Sequence, residues 1–180
     1  PWPEGGPVLA FTGAMDYWPN IDAVCWFAAE VLPALRARHP GIRLAIVGMN
    51  PAPAVRALAA EDVLVTGSVP DVRPYLAHAE VVVAPLRVAR GIQNKVLEAM
   101  AMARAVVVSA DSAAGLAGQA GEAYVSALSA ADFTEAVSAL LHAPERARAI
   151  GSAARRTVER CYSWDAHLGR LDELLEGASC

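Results

Sequence analysis

Cysteine is scarce in this 180-residue chain: Cys25, Cys161 and Cys180 are far apart, odd in number and show no C-x-x-C spacing. That pattern excludes a disulfide scaffold or a zinc ribbon and fits small buried thiols in a reducing compartment, so a cytoplasmic location is expected. Positive charge is also short, with 15 Lys and Arg against 19 Asp and Glu and a formal net charge of -4. A nucleic-acid surface needs an excess of cations on one face, so nucleic acid is not an expected partner. The sequence has no apolar run of about eighteen residues and no basic-then-apolar amino terminus, so neither a membrane span nor a signal peptide is expected.

Several chemical fingerprints are missing as well. A dinucleotide fold would follow its first strand with G-x-G-x-x-G, but here the first strand runs into Gly13-Ala-Met-Asp-Tyr-Trp18. The Walker loop, the G-x-S-x-G elbow and Asp-x-Asp are absent. His39, His78, His142 and His167 have no close partner at ligand spacing, so no metal site is expected and these histidines read as capping or solvated groups. Gly115, Gly118 and Gly121 have neither the spacing nor the place of a phosphate loop and read as a flexible connection.

What is present is apolar residue, 55% of the chain, enough for one domain with a substantial core. Pro1 to Pro7 holds three prolines and two glycines and reads as linker. Strands are expected at Val8–Thr12, Arg43–Val47, Val63–Thr66, Val81–Ala84 and Ala105–Val108, with a weaker sixth at Ala123–Val125. Between them lie helices from about Ile21 to Arg38, Val55 to Ala60 and Val72 to His78, with Asn20 as N-cap of the first and Pro33 kinking or interrupting its last turns. Helices at Ala130–Leu141 and from Pro144 to about Tyr162 follow, and a last one carries the stripe Trp164, Leu168, Leu171 and Leu175, read as core or interdomain packing. Apolar strands separated by helices predict an α/β, Rossmann-like three-layer sandwich with a parallel sheet of about six strands. Ligands of such a sheet bind beyond the carboxyl ends of the strands, where Gly13, Gly48, Gly67 to Val69 and Pro85 to Gly91 are expected to converge.

The chain is organised around Pro85 to Ser109: a strand, a short basic loop closed by Gly91, a helix of strong formers and another strand. Gly91 allows close backbone approach, and the helix start beyond it offers N–H groups and partial positive charge to an anion. Gly91, Asn94, Lys95 and Glu98 follow an i, i+3, i+4, i+7 spacing on one face, with Val96, Met100 and Ala103 roughly opposite. Lys95 and Glu98 admit two readings. One is an ordinary surface ion pair worth about 0.2–0.5 kcal/mol. The other gives them separate work, the ammonium on a phosphate and the carboxylate on a sugar diol.

Four segments taken together resemble the carboxyl-terminal, nucleotide-sugar-binding half of the GT-B glycosyltransferases, in particular the large retaining family four (glycosyl transferases group 1). They are the strand and glycine at 8–13, Leu32 to Gly48, Val65-Thr-Gly-Ser-Val-Pro-Asp71, and Val96-Leu-Glu-Ala-Met-Ala-Met-Ala-Arg-Ala-Val-Val-Val108, which is similar to L-E-A-M-A-x-G-x-P-V-V. The M-D-Y-x-P-N loop and the R-G-x-Q-N-K-x-L-E-A-M-A helix most resemble exopolysaccharide-type sugar transferases. The resemblance implies that Glu98, the second acid of E-x7-E, binds the ribose. It implies that Gly91, Ile92, Gln93 and Asn94 face the donor sugar and diphosphate, that Val69 after Gly67 holds the base by main-chain groups, and that Gly13 lies close to the diphosphate.

Three departures stand out. Arg90 falls where the first acid of E-x7-E belongs, which also suggests an acidic donor sugar such as a uronic acid. Ala14 and Pro19 replace the cations that stabilise the leaving diphosphate. Ala103 and Ala105 replace Gly and Pro, a change expected to affect packing alone. Lys95, with Arg90 or Arg87, is therefore expected to supply the missing charge as the catalytic cation. The implied reaction uses a nucleotide diphosphate sugar as substrate, with no cofactor and no metal. An acceptor-binding amino-terminal domain of the same enzyme is the implied partner. No such domain stands before Pro1, so residues 8–180 are expected to be a donor-binding half, inactive alone. Any peripheral contact with the inner face of the membrane would come through the other half, and a bare Trp164 to Leu175 stripe would promote self-association. The alternative from another class is a nucleotide-binding or regulatory module of this fold that has lost catalysis; sugar-nucleotide epimerases of related architecture are a further one.

Overall fold

The computed structural model describes residues 5–89 and 91–163. Arg90, His167, Cys180 and the Trp164 to Leu175 stripe lie outside the described residues, and with them the expectation of self-association. Six strands form one parallel sheet: β1 (Val8–Thr12), β2 (Arg43–Val47), β3 (Val63–Val65), β4 (Val81–Ala84), β5 (Ala105–Ser109) and β6 (Val125–Ala127), in the order β3-β2-β1-β4-β5-β6. The sixth strand starts two residues later than the sequence suggests. Chain order runs outward from β1 to β3 and then restarts at β4 on the other flank of β1. The boundary between β1 and β4 is thus the switch point at which loops diverge and leave a crevice.

Both sheet faces are covered, which is why the strands read as unbroken apolar runs. Leu9, Phe11, Leu44, Ile46, Val81, Val83 and Val107 point into one core layer, with Val24, Phe27, Leu35, Phe133 and Val137. Those partners come from α1 (Trp18–Trp26), α2 (Leu32–Arg38), the π-helical segment Phe27–Val31 between them, and α7 (Ala130–His142). Ala10, Ala45, Val82, Ala84, Val106 and Val108 point the other way, toward Leu76, Val96, Ala99, Met100 and Ala154. These belong to α4 (Arg73–His78), α5 (Asn94–Ala101) and α8 (Pro144–Cys161). The remaining helices, α3 (Pro53–Arg56) and α6 (Ala110–Ala113), are single turns in the connections.

One expectation about the first long helix is corrected. It starts at Trp18 with Pro19 in its first turn and Tyr17 as N-cap, so Asn20 lies inside it rather than capping it. Proline suits that place because its missing N–H has no helical partner there. Pro33 interrupts the α-helix as expected, without ending it. The turn before it widens instead, with Leu32 N–H donating to Phe27 O, an i→i−5 bond that accommodates a ring lacking an N–H.

At the other end of the central unit, α5 buries Val96, Ala99 and Met100 and closes with a Schellman turn. Ala103 N–H donates to Met100 O at 2.9 Å and Arg104 N–H to Ala99 O at 3.0 Å. Ala103 is therefore not on the helix face; it has φ +53°, the left-handed position that favours glycine. Its departure from glycine is thus one of backbone conformation and not of packing alone. Gly91 likewise precedes α5 and does not share its face.

Candidate functional site

The loops after β1, β2 and β3 and the start of α5 surround a cleft of about 480 Å³ at the switch point. Its floor is a contact between two backbones. A Cβ at Gly48 would lie 1.6 Å from Gly13 O, so the β1 and β2 loops touch where only glycine fits. Gly13 N–H donates to Val47 O at 3.0 Å and Met15 N–H to Met49 O at 2.8 Å, extending the β1–β2 pairing past the strands. Gly13 thus contributes room rather than a free N–H. Thr12 also lines the cleft; its hydroxyl is buried with no hydrogen-bond partner among the described residues. On the β3 side, Ser68 and Val69 form the wall.

From the opposite wall, Ile92, Gln93, Asn94, Lys95 and Glu98 face the same space. The amino end of α5 therefore opens into the cleft, and no acidic residue sits in its first turn to compete for an anion. Lys95 does not pair with Glu98. Its ammonium donates to Asn20 Oδ1 and lies 5.2 Å from the centroid of the Phe11 ring, a cation–π arrangement. Burial pushes the Lys95 amine down to about 8, only partly opposed by the Glu98 charge. Glu98 itself is exposed at the rim. Lys95 and Glu98 are the only ionisable side chains among the described residues that line the cleft. The ordinary ion-pair reading is thereby set aside.

Of the residues singled out from sequence, Gly13, Val69, Ile92, Gln93, Asn94, Lys95 and Glu98 come together here. Gly67 and Gly91 do not line the cleft; they turn the chain beside it, with φ +69° and +67°. Arg90 lies outside the described residues, so nothing places it.

Arg87 corrects the expectation that it helps to hold the diphosphate. Its guanidinium is held bidentately by Asp22 of α1, with Nε donating to Oδ2 at 2.9 Å. It lines a different cavity, of about 300 Å³, together with Pro85, Leu86 and Trp26. Among the described residues of the loop after β4, Ile92 is the first to line the crevice.

His39 corrects the histidine reading. It is buried, hydrogen-bonded to Ser138 Oγ at 2.9 Å, and its ring lies 4.9 Å from that of His142. Among the described residues, no three His, Cys, Asp or Glu side chains gather as metal ligands do, and Cys25 and Cys161 are free thiols. No described helix is long and apolar enough to cross a membrane.

Sequence reasoning missed Asn20, Thr12 and Phe11 as parts of the site. Asn20 meets Lys95 across 75 residues of sequence, and no local spacing signals such a contact.

The profile of the family described as "Glycosyl transferases group 1" matches residues 6–143. No curated protein matches the sequence. Among solved structures, sucrose-phosphate synthase from Thermosynechococcus elongatus superposes with TM-score 0.73 at 22% identity, over 97% of this chain and 46% of its own. HepE of Anabaena, in complex with UDP and glucose, gives 0.76 at 15% identity, over 94% of this chain and 48% of its own. The carboxyl-terminal domain of a glycosyl transferase group 1 protein, LpcC from Francisella tularensis, gives 0.66 at 14% identity, over 88% of this chain and 86% of its own. At these identities the structures attest the Rossmann-like fold of GT-B glycosyltransferases. This chain spans about half the length of the first two. The family match covers well over half of the sequence, and the chain belongs to the glycosyl transferases group 1 family.

Proposed function

We propose that this chain is the donor-binding half of a retaining glycosyltransferase that takes its sugar from a nucleoside diphosphate sugar. The observation that carries this reading is the isolation of Lys95 from Glu98 in a cleft with no other described ionisable group. The ammonium and the open start of α5 suit a diphosphate; the exposed Glu98 carboxylate suits the ribose hydroxyls, accepting two hydrogen bonds. Val69 and the Gly67 turn would meet the base through the main chain. The HepE structure, a complex with UDP and glucose whose fold this chain shares over about half of HepE's length, supports this assignment.

In the reaction, the bond between the anomeric carbon and the diphosphate oxygen breaks through an oxocarbenium-like state. Negative charge grows on the departing diphosphate, so Lys95 and the α5 N–H groups stabilise that state more than the ground state and act in place of a metal. The family resemblance is the ground for assigning retention of configuration, and the M-D-Y-x-P-N loop is the ground for assigning polysaccharide or glycoconjugate as product.

An acceptor-binding half is the partner that completes the site. Every large apolar residue exposed among the described residues, namely Tyr17, Trp18, Met49, Val88, Ile92 and Leu128, follows the carboxyl end of a strand, and Met49 and Ile92 line the cleft itself. Such a rim suits cover by another domain. The free thiols of Cys25 and Cys161 suit the cytoplasm.

Calorimetric titration with UDP, GDP and ADP, on the chain and on its Lys95→Ala and Glu98→Gln variants, tests the reading. One diphosphate is expected to bind, with affinity lowered about tenfold or more by either change. Absence of binding up to millimolar concentration, or binding indifferent to both variants, would overturn it.

A further inference from the structure

We infer that Asn20 is the positioning residue of Lys95: its side chain ties the ammonium to the Gly13–Ala14 loop and so closes the anion site across the switch point of the sheet. The inference rests on the donor-binding reading above and deepens it. Asn20 is only 3% exposed, although it lies in the first turn of a helix whose N-cap position is Tyr17. A buried amide needs partners, and this one uses both ends. Nδ2 donates to Ala14 O at 2.8 Å, and Oδ1 accepts from Lys95 Nζ. The amide orientation follows from chemistry, because an ammonium can only donate and a carbonyl can only accept.

The surrounding residues are shaped for this pair. A Cβ at Gly13 would lie 2.7 Å from Asn20 Nδ2 and 3.2 Å from Lys95 Cε, so the missing side chain at Gly13 admits the contact. Pro19 occupies the first turn of α1, which sets the following residue against the loop it has just left. Without Asn20, the groups facing the Lys95 amine are the Phe11 ring from β1 and the Glu98 carboxylate from its own helix. Asp22 of α1 is engaged by Arg87. The free amine would then turn to Glu98 in the ordinary i, i+3 pair. That would withdraw the cation from the diphosphate and the carboxylate from the ribose at once. Asn20 keeps the two charges apart.

Exchanging the neutral Oδ1 for the Glu98 carboxylate would favour the charged amine against the desolvation that lowers it. A merely structural asparagine would leave that balance unchanged, and the test turns on it. The amine pKa of Lys95 is followed by NMR on chain labelled with 13C-lysine, its resonance assigned with Lys95→Ala. Affinity is measured in parallel for the tightest of UDP, GDP and ADP. Asn20→Ala is expected to raise the amine pKa, as the ammonium pairs with Glu98, and to lower the diphosphate affinity about tenfold, with nothing further lost in the Lys95→Ala background. Asn20→Asp, which keeps the shape and adds a carboxylate, is expected to raise the amine pKa, and it serves if the alanine variant does not fold. An unmoved amine pKa in both variants overturns the inference, as does an affinity loss that persists in full in the Lys95→Ala background. If the parent chain binds no diphosphate, the donor-binding reading fails, while the amine titration still decides whether Asn20 holds Lys95.

Discussion

Gly48 and Gly13 meet backbone to backbone at the floor of the cleft, so closely that a methyl group on Gly48 would overlap the Gly13 carbonyl oxygen at 1.6 Å. Neither backbone has a flexible side chain to move aside. Gly48→Ala is therefore expected to push the β1 loop into the space where Asn20 and Lys95 meet. Nucleotide affinity should fall about tenfold or more, and stability by about 2 kcal/mol. Calorimetry and urea denaturation read the two effects. An alanine variant with parental affinity would show that the floor is not part of the site.

Lys95 makes the site sensitive to pH on the alkaline side. Its amine is lowered to about 8 by burial, from 10.5 in an open chain. In that window the unfolded chain binds the proton and the folded chain does not, so this group costs stability below pH 8 and the cost is relieved as pH rises toward 10.5. Lys95→Met removes this dependence, so its stability relative to the parent should fall by about 1–3 kcal/mol between pH 8 and 10.5, on top of the pH-independent cost of leaving Asn20 Oδ1 unpaired. Diphosphate binding has the opposite slope, since the anion needs the charged amine. Affinity should fall above pH 8, by as much as about tenfold per pH unit. Titrations between pH 6 and 10 check both signs. Affinity independent of pH over that range would remove Lys95 from the diphosphate.

Ala103 holds a left-handed conformation at φ +53° where α5 ends, and that strain is open to relief. Ala103→Gly should stabilise the domain by about 1 kcal/mol, raising its melting temperature by roughly 2–4 °C without touching the cleft. The same turn explains Gly151 of α8, where a Cβ would lie 2.1 Å from Ala103 O. Thermal unfolding that is unchanged, or lowered, in Ala103→Gly would mean that the turn carries no strain.

The sheet was legible because its four inner strands, β2, β1, β4 and β5, are buried on both faces and apolar except at their ends, whereas the edge strand β6, with Ser126 exposed, gave a weaker signal. The α5 wall was legible because Lys95 and Glu98 lie three residues apart on one helix. The facing wall was not. Asn20 belongs to a helix start that resembles a cap, and its partner is 75 residues away. Arg87 misled for the same reason: a cation near Lys95 in sequence is claimed by Asp22, 65 residues distant, and drawn off to another cavity. Ala103 was legible as a departure from glycine, but only φ gives that departure a cost.

Thr12 offers a test of whether the cleft is built for a ligand or only for packing. Its hydroxyl is buried at the end of β1 with no partner among the described residues. An unpaired buried hydroxyl is unfavourable, and replacing it with a methyl of the same shape removes the penalty. Thr12→Val should therefore stabilise the unliganded chain by about 1 kcal/mol. If the hydroxyl serves only packing, nucleotide affinity will stay at the parental value. If it is held for the donor, the variant will gain stability and lose affinity together, a trade expected where a site keeps a polar group for its ligand at the expense of the fold. Unfolding and titration of this one variant give both numbers, and loss of stability in Thr12→Val would show that the hydroxyl is satisfied in solution after all.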